Sequence, residues 1–388
     1  MKRVLLSLLV LFIVSKSNAQ EEPRRVITTA VPFVLIAADA RAAGMGDMGV
    51  ATSVDAFSQQ WNPAKYAFST YKQGIGVTYT PYLSQLVNDI FLGNLTYYNR
   101  LNERSAVAAS FRYFSLGDIE LRDTPEQEPL IQSPNELTFD LSYSLRLSDR
   151  FSMAVAGRYL RSDLKLQVAD EDATAGSSFA VDIAGYYQSE EIAYNEFDGR
   201  WRAGFNISNI GPKIKYDDVG QENFLPTNLR LGGGFDFILD AFNRVGVTAE
   251  VNKLLVPTPP VRDRDPNSPT FGEVVRGQDD DVSFFSGIFQ SFGDAPDGFS
   301  EELKEFTWAL GVEYAYQESF YLRTGYFNES EEKGSRKFVS LGAGFKYTSI
   351  NIDVSYLFST SQVRSPLEGT LRFGLTFNFG DSEFYQEY

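Results

Sequence analysis

The chain contains neither cysteine nor histidine. Without cysteine there can be no disulfide, no thiol nucleophile and no thiolate metal ligand. Without histidine the commonest general base and metal ligand near neutral pH is missing. No nucleophile–base spacing takes their place, so the sequence predicts a protein that is not an enzyme and needs no cofactor. Long apolar runs are also lacking: past the first 20 residues nothing reaches the 18 or so apolar residues of a membrane-spanning helix. Basic residues are in deficit, with 35 Lys and Arg against 51 Asp and Glu. That balance argues against nucleic acid as a partner, because phosphate recognition wants a basic patch. What the chain has in quantity is aromatic residues, 32 Phe and 21 Tyr, together with 31 Gly.

Residues 1–19 read as a secretory signal peptide. Lys2 and Arg3 form the basic start, Val4 to Val14 the apolar core, and Ser17-Asn18-Ala19 the small-residue cleavage site. No cysteine follows for lipid attachment. Removing Lys2, Arg3 and Lys16 takes the net charge from −16 to −19.

From Lys72 onward apolar and polar residues alternate with period two over long stretches. In Leu371–Phe379, Leu371, Phe373, Leu375, Phe377 and Phe379 share one side, and Arg372, Gly374, Thr376 and Asn378 the other. Leu137–Leu147, Phe151–Tyr159, Trp201–Ile207, Leu229–Phe237, Phe306–Tyr316 and Ile350–Phe358 repeat the pattern, which belongs to strands. The apolar side is large and aromatic. The other side carries Asp140, Arg158, Asp182, Arg202, Arg230, Asp236, Glu250, Glu313, Asp353 and Arg372. This is the order expected when lipid lies outside and a polar lumen inside. Tyr residues near strand ends (Tyr79, Tyr82, Tyr97, Tyr98, Tyr113, Tyr186, Tyr187, Tyr321, Tyr326) suit interfacial girdles.

Fourteen strands follow from the spacing, at 72–80, 89–100, 104–115, 135–147, 150–162, 177–188, 199–208, 227–238, 243–253, 305–317, 319–329, 337–348, 350–359 and 369–379. Short connections alternate with long ones, as periplasmic turns alternate with extracellular loops. The expected fold is all-β: a 14-stranded antiparallel transmembrane β-barrel in a bacterial outer membrane, with both termini periplasmic. Its parts are the signal peptide at 1–19, an N-terminal periplasmic or hatch segment at 20–71, the barrel at 72–379 with a long extracellular loop at 254–304, and a tail at 380–388.

The segment Ile36–Ala67 is the one long stretch that does not alternate. Small residues dominate it, and Asn62-Pro63 forces an extended or turned backbone before the first strand. Gly44-Met45-Gly46-Asp47-Met48-Gly49 matches the dinucleotide fingerprint G-x-G-x-x-G, but that motif works only between a strand and a helix of a βαβ unit. Close backbone packing inside or against a larger structure is the better reading. Asp39, Ala40, Arg41, Gly44, Met45, Gly46, Asp55, Ala56 and Asn62-Pro63-Ala64 together resemble the opening of the PorV (also called LptO) proteins of the type IX secretion system. They point to PorV more than to its sibling PorQ. More loosely, the chain is similar to FadL-like barrels, in which an N-terminal hatch precedes 14 strands. The resemblance implies a membrane-held adaptor. It would receive cargo with a conserved C-terminal signal domain at the outer-membrane translocon and pass it to a sortase-like surface protein for attachment. The alternative it leaves open is FadL-like transport of hydrophobic small molecules.

The loop 254–304 opens with a stiff Pro-rich arm and then gathers Val282, Phe284, Phe285, Ile288, Phe289, Phe292 and Phe299. Three readings stand: the cluster folds inward and plugs the barrel mouth, it is an apolar hook for a partner, or it is disordered. Asp279-Asp280-Asp281 lacks the spacing of a calcium loop and predicts no metal site.

Overall fold

The computed structural model describes residues 25–381 apart from 123, 125–126, 165–173, 217–221 and 362–364. The signal peptide and the tail beyond Asp381 lie outside the described residues.

Each barrel strand pairs antiparallel with its sequence neighbours. In order they are β1 (Tyr71–Pro81), β2 (Ile90–Arg100), β3 (Ser105–Leu116), β4 (Asn135–Ser148), β5 (Phe151–Asp163), β6 (Gly176–Gln188) and β7 (Asp198–Ile210). The ring continues with β8 (Asn228–Ile238), β9 (Asn243–Leu254), β10 (Thr307–Tyr316), β11 (Phe320–Asn328), β12 (Lys337–Tyr347), β13 (Ile350–Ser359) and β14 (Leu371–Asp381). Tyr71 of β1 pairs with Asp381 of β14, which closes the barrel and leaves no free edge among these strands. Left-handed backbone at Gln317, Glu318 and Thr348 makes the tight turns, on or next to Glu318 and Ser349, where the sequence reading puts one-residue junctions.

The faces are inverted relative to a soluble protein. Phe139, Leu141, Val155, Phe179, Leu322, Ile352 and Phe373 are exposed on the outer surface, toward lipid. Asp140, Arg158, Asp182, Arg202, Glu250, Arg323 and Arg372 are buried inside. Buried charge is tolerated there because it is paired: Arg158 bonds Asp182 at 3.0 Å and also contacts Asp140, and Arg202 bonds Asp236 at 2.8 Å. Four of the girdle tyrosines need correction. Tyr321 shares a side with lumenal Arg323, whose guanidinium lies 5.1 Å over its ring, and Tyr82 packs edge to face on lumenal Phe114 at 5.3 Å. Tyr98 and Tyr186 are buried in the lumen, while their neighbours Tyr97 and Tyr187 face outward. Successive strand residues point to opposite sides, so a Tyr-Tyr pair cannot place both rings in the girdle.

The lumen is filled by the chain itself. Two helical turns, α1 (Ala40–Ala43) and α2 (Ser58–Trp61), and 3-10 turns at Pro32–Leu35 and Pro63–Phe68 lie within the strand ring. Wall side chains from many strands hold this segment. Arg112 donates to the Val34 carbonyl, Thr80 to Ala38, Arg202 to Ala51, Asn206 to Trp61 and Ser152 to Ala64. The described segment begins at the long-loop end, where Arg25 pairs with the loop residue Glu301 at 2.9 Å. From there it descends to the short-turn end before β1 starts. Residues 25–70 therefore run through the lumen from the long-loop end to the short-turn end.

Wall glycines make this filling possible. A Cβ on Gly44 would lie 2.9 Å from the Cα of Gly342, and one on Gly325 would lie 2.0 Å from the Met45 carbonyl carbon. Backbone meets backbone there, which no side chain would permit.

Candidate functional site

The residues singled out near the N-terminus all turn out to bind segment to wall, or segment to itself. Asp39 caps α1: one carboxylate oxygen accepts from the Ala42 amide at 2.8 Å and the other from Trp61 Nε1 at 2.7 Å. Arg41 donates to both Glu313 oxygens at 3.0 Å, to Asp55 at 2.7 Å and to Ser53. Gly46 adopts a left-handed conformation and its amide donates to Ser340 Oγ at 2.8 Å. Asn62 Nδ2 donates to the carbonyls of Val50 and Gly185, both at 2.9 Å, and its Oδ1 caps the 3-10 turn that Pro63 opens. Gly44–Gly49 follows a helical turn rather than a strand, so the fingerprint context is absent.

Spacing did not reveal two partners of this lumenal set. Glu250 on β9 accepts from the amides of Gly49 and Val50 at 2.9 Å each. Lys65 is buried with its ammonium on the Gly49 carbonyl and Thr52 Oγ1.

The second site is the loop between β9 and β10, which carries α3 (Phe284–Gln290) and α4 (Phe299–Lys304). Ser283 caps α3 by accepting from the Ser286 amide. Gly287 and Ser291 form the buried side; a Cβ at Gly287 would meet Phe224 at 2.9 Å and Pro257 at 3.1 Å, so only glycine lets the helix lie this close. Phe285 and Phe289, one turn apart on the opposite side, meet edge to face at 5.2 Å. Phe285, Phe289, Phe292 and Phe299 are 60, 66, 51 and 76% exposed, whereas Phe284 and Ile288 are half-buried. The inward-plug reading of this cluster fails, because the small residues face the barrel and the rings face away from it.

Beneath the rings lies a charge network assembled from distant parts of the chain. Lys253 at the end of β9 bonds Glu305 at 2.5 Å and Glu302 at 3.2 Å. Lys333 bonds Glu301 at 2.7 Å and Glu305 at 2.9 Å. Arg25 adds Glu301 and contacts Asp297, which Arg276 also bonds at 2.6 Å. Burial alone would raise the Glu301 carboxyl, but hydrogen bonds from Arg25 and Lys333 overcome it and hold the group down at about 2. Oxygens of Asp294, Glu302 and Glu305 lie within 4.8 Å of one another, the size of a cation site, yet the Lys253 ammonium already bonds two of the three. Asp279 and Asp280 are neutralised by Arg262 at 2.8 and 2.6 Å.

Among curated proteins a search returned no significant match. The family model described as "Type IX secretion system protein PorV" matches residues 18–261. Among solved structures, the chain is similar to the CymD monoaromatic hydrocarbon channel, at 12% identity over 90% of this chain and 99% of that one, with a TM-score of 0.49. It is also similar to the Ralstonia pickettii toluene transporter TbuX, at 10% identity over 89% and 100% of the two chains and a TM-score of 0.46. A Pseudomonas aeruginosa FadL homologue is similar at 12% identity over 88% and 98%, with a TM-score of 0.44.

Proposed function

The chain belongs to the PorV family of the type IX secretion system, and from that premise we propose that this outer-membrane barrel is a non-enzymatic adaptor for secreted proteins. It receives cargo bearing the C-terminal signal domain from the translocon and presents it for surface attachment. The observation that carries this reading is the outward aromatic face of α3 and α4, formed by Phe285, Phe289, Phe292 and Phe299 on a loop fixed to the barrel by buried ion pairs. Exposed apolar area of this density, held in one shape, is what a docking surface needs, since ordering costs are met before binding. The loop 254–304 carries ten acidic against four basic residues, which favours a protein partner with a basic rim over the phosphate-bearing surface of a lipid leaflet.

The transporter alternative requires a path through the lumen. A segment held by Arg41, Glu250, Arg202 and Asn62 and seated on wall glycines weighs against such a path.

The test replaces Phe285, Phe289, Phe292 and Phe299 by Ser and, separately, deletes Val282–Phe299. Heat-modifiable migration in gels checks that the barrel still folds. Loss of co-purification with the translocon and cargo is the expected result. Undiminished co-purification from a folded barrel would remove the loop from the recognition surface.

A further inference from the structure

We propose that Asp294 is a proton-operated latch, whose protonation seats α3 and α4 on the barrel mouth and whose ionisation loosens them.

The geometry singles out this carboxylate. Every other acid in the network has a cation: Asp297 has Arg25 and Arg276, Glu301 has Arg25 and Lys333, Glu302 has Lys253, and Glu305 has Lys253 and Lys333. Asp294 has no ion-pair partner among the described residues. It is buried in the turn that joins α3 to α4, so its state bears on the placement of both helices. Oδ2 accepts from the Thr258 amide at 3.0 Å, which ties the turn to the first residues past β9, and Oδ1 has no hydrogen-bond partner among the described residues. A buried carboxylate in that condition is costly when charged and cheap when it carries a proton.

The groups around it define what the proton would do. From α4 and its C-terminal end come Glu302 and Glu305, and from β9 comes Lys253; Thr258 contributes an amide. A proton on Asp294 turns it into a donor beside carboxylate oxygens within 4.8 Å and removes a like charge from their vicinity. A metal ion would compete poorly, because the Lys253 ammonium already bonds both glutamates and Glu305 also takes Lys333 and the Thr258 hydroxyl. Burial first, then Glu305 and Glu302, pushes the Asp294 carboxyl up to about 6 from its usual 3.8.

The sign follows from linkage. The seated loop binds the proton more tightly than the released loop, where the group returns to its usual value. The Asp294 contribution to seating is therefore strongest in acid, weakens as pH rises from about 4 to about 6, and levels off above that, an expected change of about tenfold between pH 5 and pH 8. The seat's proton dependence does not hinge on what the aromatic face binds.

Hydrogen exchange of the full-length protein in detergent, read on peptides within 284–304 and corrected for intrinsic rates, tests it. Wild-type protection should fall about tenfold from pH 5 to pH 8. Asp294→Asn should stay protected and flat across the range, with chelator present or absent. Glu302→Gln should move the transition to lower pH, an effect that a purely structural Asp294 would not show. A wild-type profile without slope, an Asp294→Asn profile that keeps the wild-type slope, or a slope abolished by chelator would each overturn the proposal.

Discussion

The guanidinium of Arg41 joins the lumenal segment to the barrel wall, gripping both oxygens of Glu313 at 3.0 Å while reaching Asp55 at 2.7 Å. Arg323 also bonds Glu313, at 2.7 Å, so the wall carboxylate sits between two arginines. Removing Arg41 would leave Asp55 without its ion-pair partner and Glu313 half-neutralised in a largely buried setting. Breaking such a pair by deleting one partner costs about 3–5 kcal/mol. Arg41→Ala is therefore expected to release the segment, which can be read as trypsin cleavage at Lys65, a site fully buried in the intact barrel. Arg41→Lys should fall between the two, because an ammonium cannot reproduce the two-pronged grip.

Gly325 and Gly157 offer a matched pair of substitutions. A methyl at Gly325 would lie 2.0 Å from the Met45 carbonyl carbon and 2.3 Å from the Gly46 amide nitrogen. Neither atom can move without unseating the segment. A methyl at Gly157, on another strand, would meet nothing within 4 Å. Gly325→Ala should lower the temperature at which the barrel loses its compact gel migration, and Gly157→Ala should leave it within about 0.5 kcal/mol of wild type.

The barrel was legible because two solvents write its pattern. Lipid on one side and a polar lumen on the other force alternation along every crossing, so no end of a barrel strand departs from the expected one by more than two residues. What alternation cannot encode is who pairs with whom. Arg41 and Glu313 are 272 residues apart, and no spacing rule joins them. Tyr97-Tyr98 and Tyr186-Tyr187 were ambiguous for the same reason: two like residues in succession carry no parity. The direction of the Phe cluster was readable in principle. Gly287 and Ser291 are four apart and so share a side of α3, while Phe285 and Phe289 share the other, a stripe visible once the stretch is taken as helix. The charge network below it draws on Arg25, Lys253, Glu301, Glu305 and Lys333, and only the close spacing of Glu301, Glu302 and Glu305 hinted at it.

Glu301 should respond to acid with the sign opposite to that of Asp294. Its carboxyl is held at about 2 against a usual 4.5, so its contribution to seating the loop is complete above pH 4.5 and lost as pH falls toward 2. Glu301→Gln should therefore weaken protection of α4 at pH 7, by roughly tenfold after allowance for solvent screening, and abolish the loss below pH 4. Arg25→Ala should produce a milder version, since Lys333 still bonds Glu301 at 2.7 Å. Exchange profiles from pH 3 to pH 8 would separate the two carboxylates.

The absence of cysteine makes orientation and filling testable in whole cells, since a single introduced thiol has no background. Ser286→Cys lies on the exposed loop, Asp240→Cys in the short turn between β8 and β9, and Ser58→Cys in the buried segment. A membrane-impermeant maleimide on intact cells should label the first at once. Asp240→Cys should label only after the outer membrane is permeabilised, because short turns face the periplasm. Ser58→Cys should remain unlabelled in both cases and react only after unfolding, since serine and cysteine are near in size and the site has no exposed surface. Labelling of Ser58→Cys from outside would mean that the segment leaves the lumen in the cell, and the balance would shift toward solute passage. Protection of Ser58→Cys alongside rapid labelling of Ser286→Cys would place the protein's business at its mouth, where Phe285 and Phe289 stand clear of the barrel.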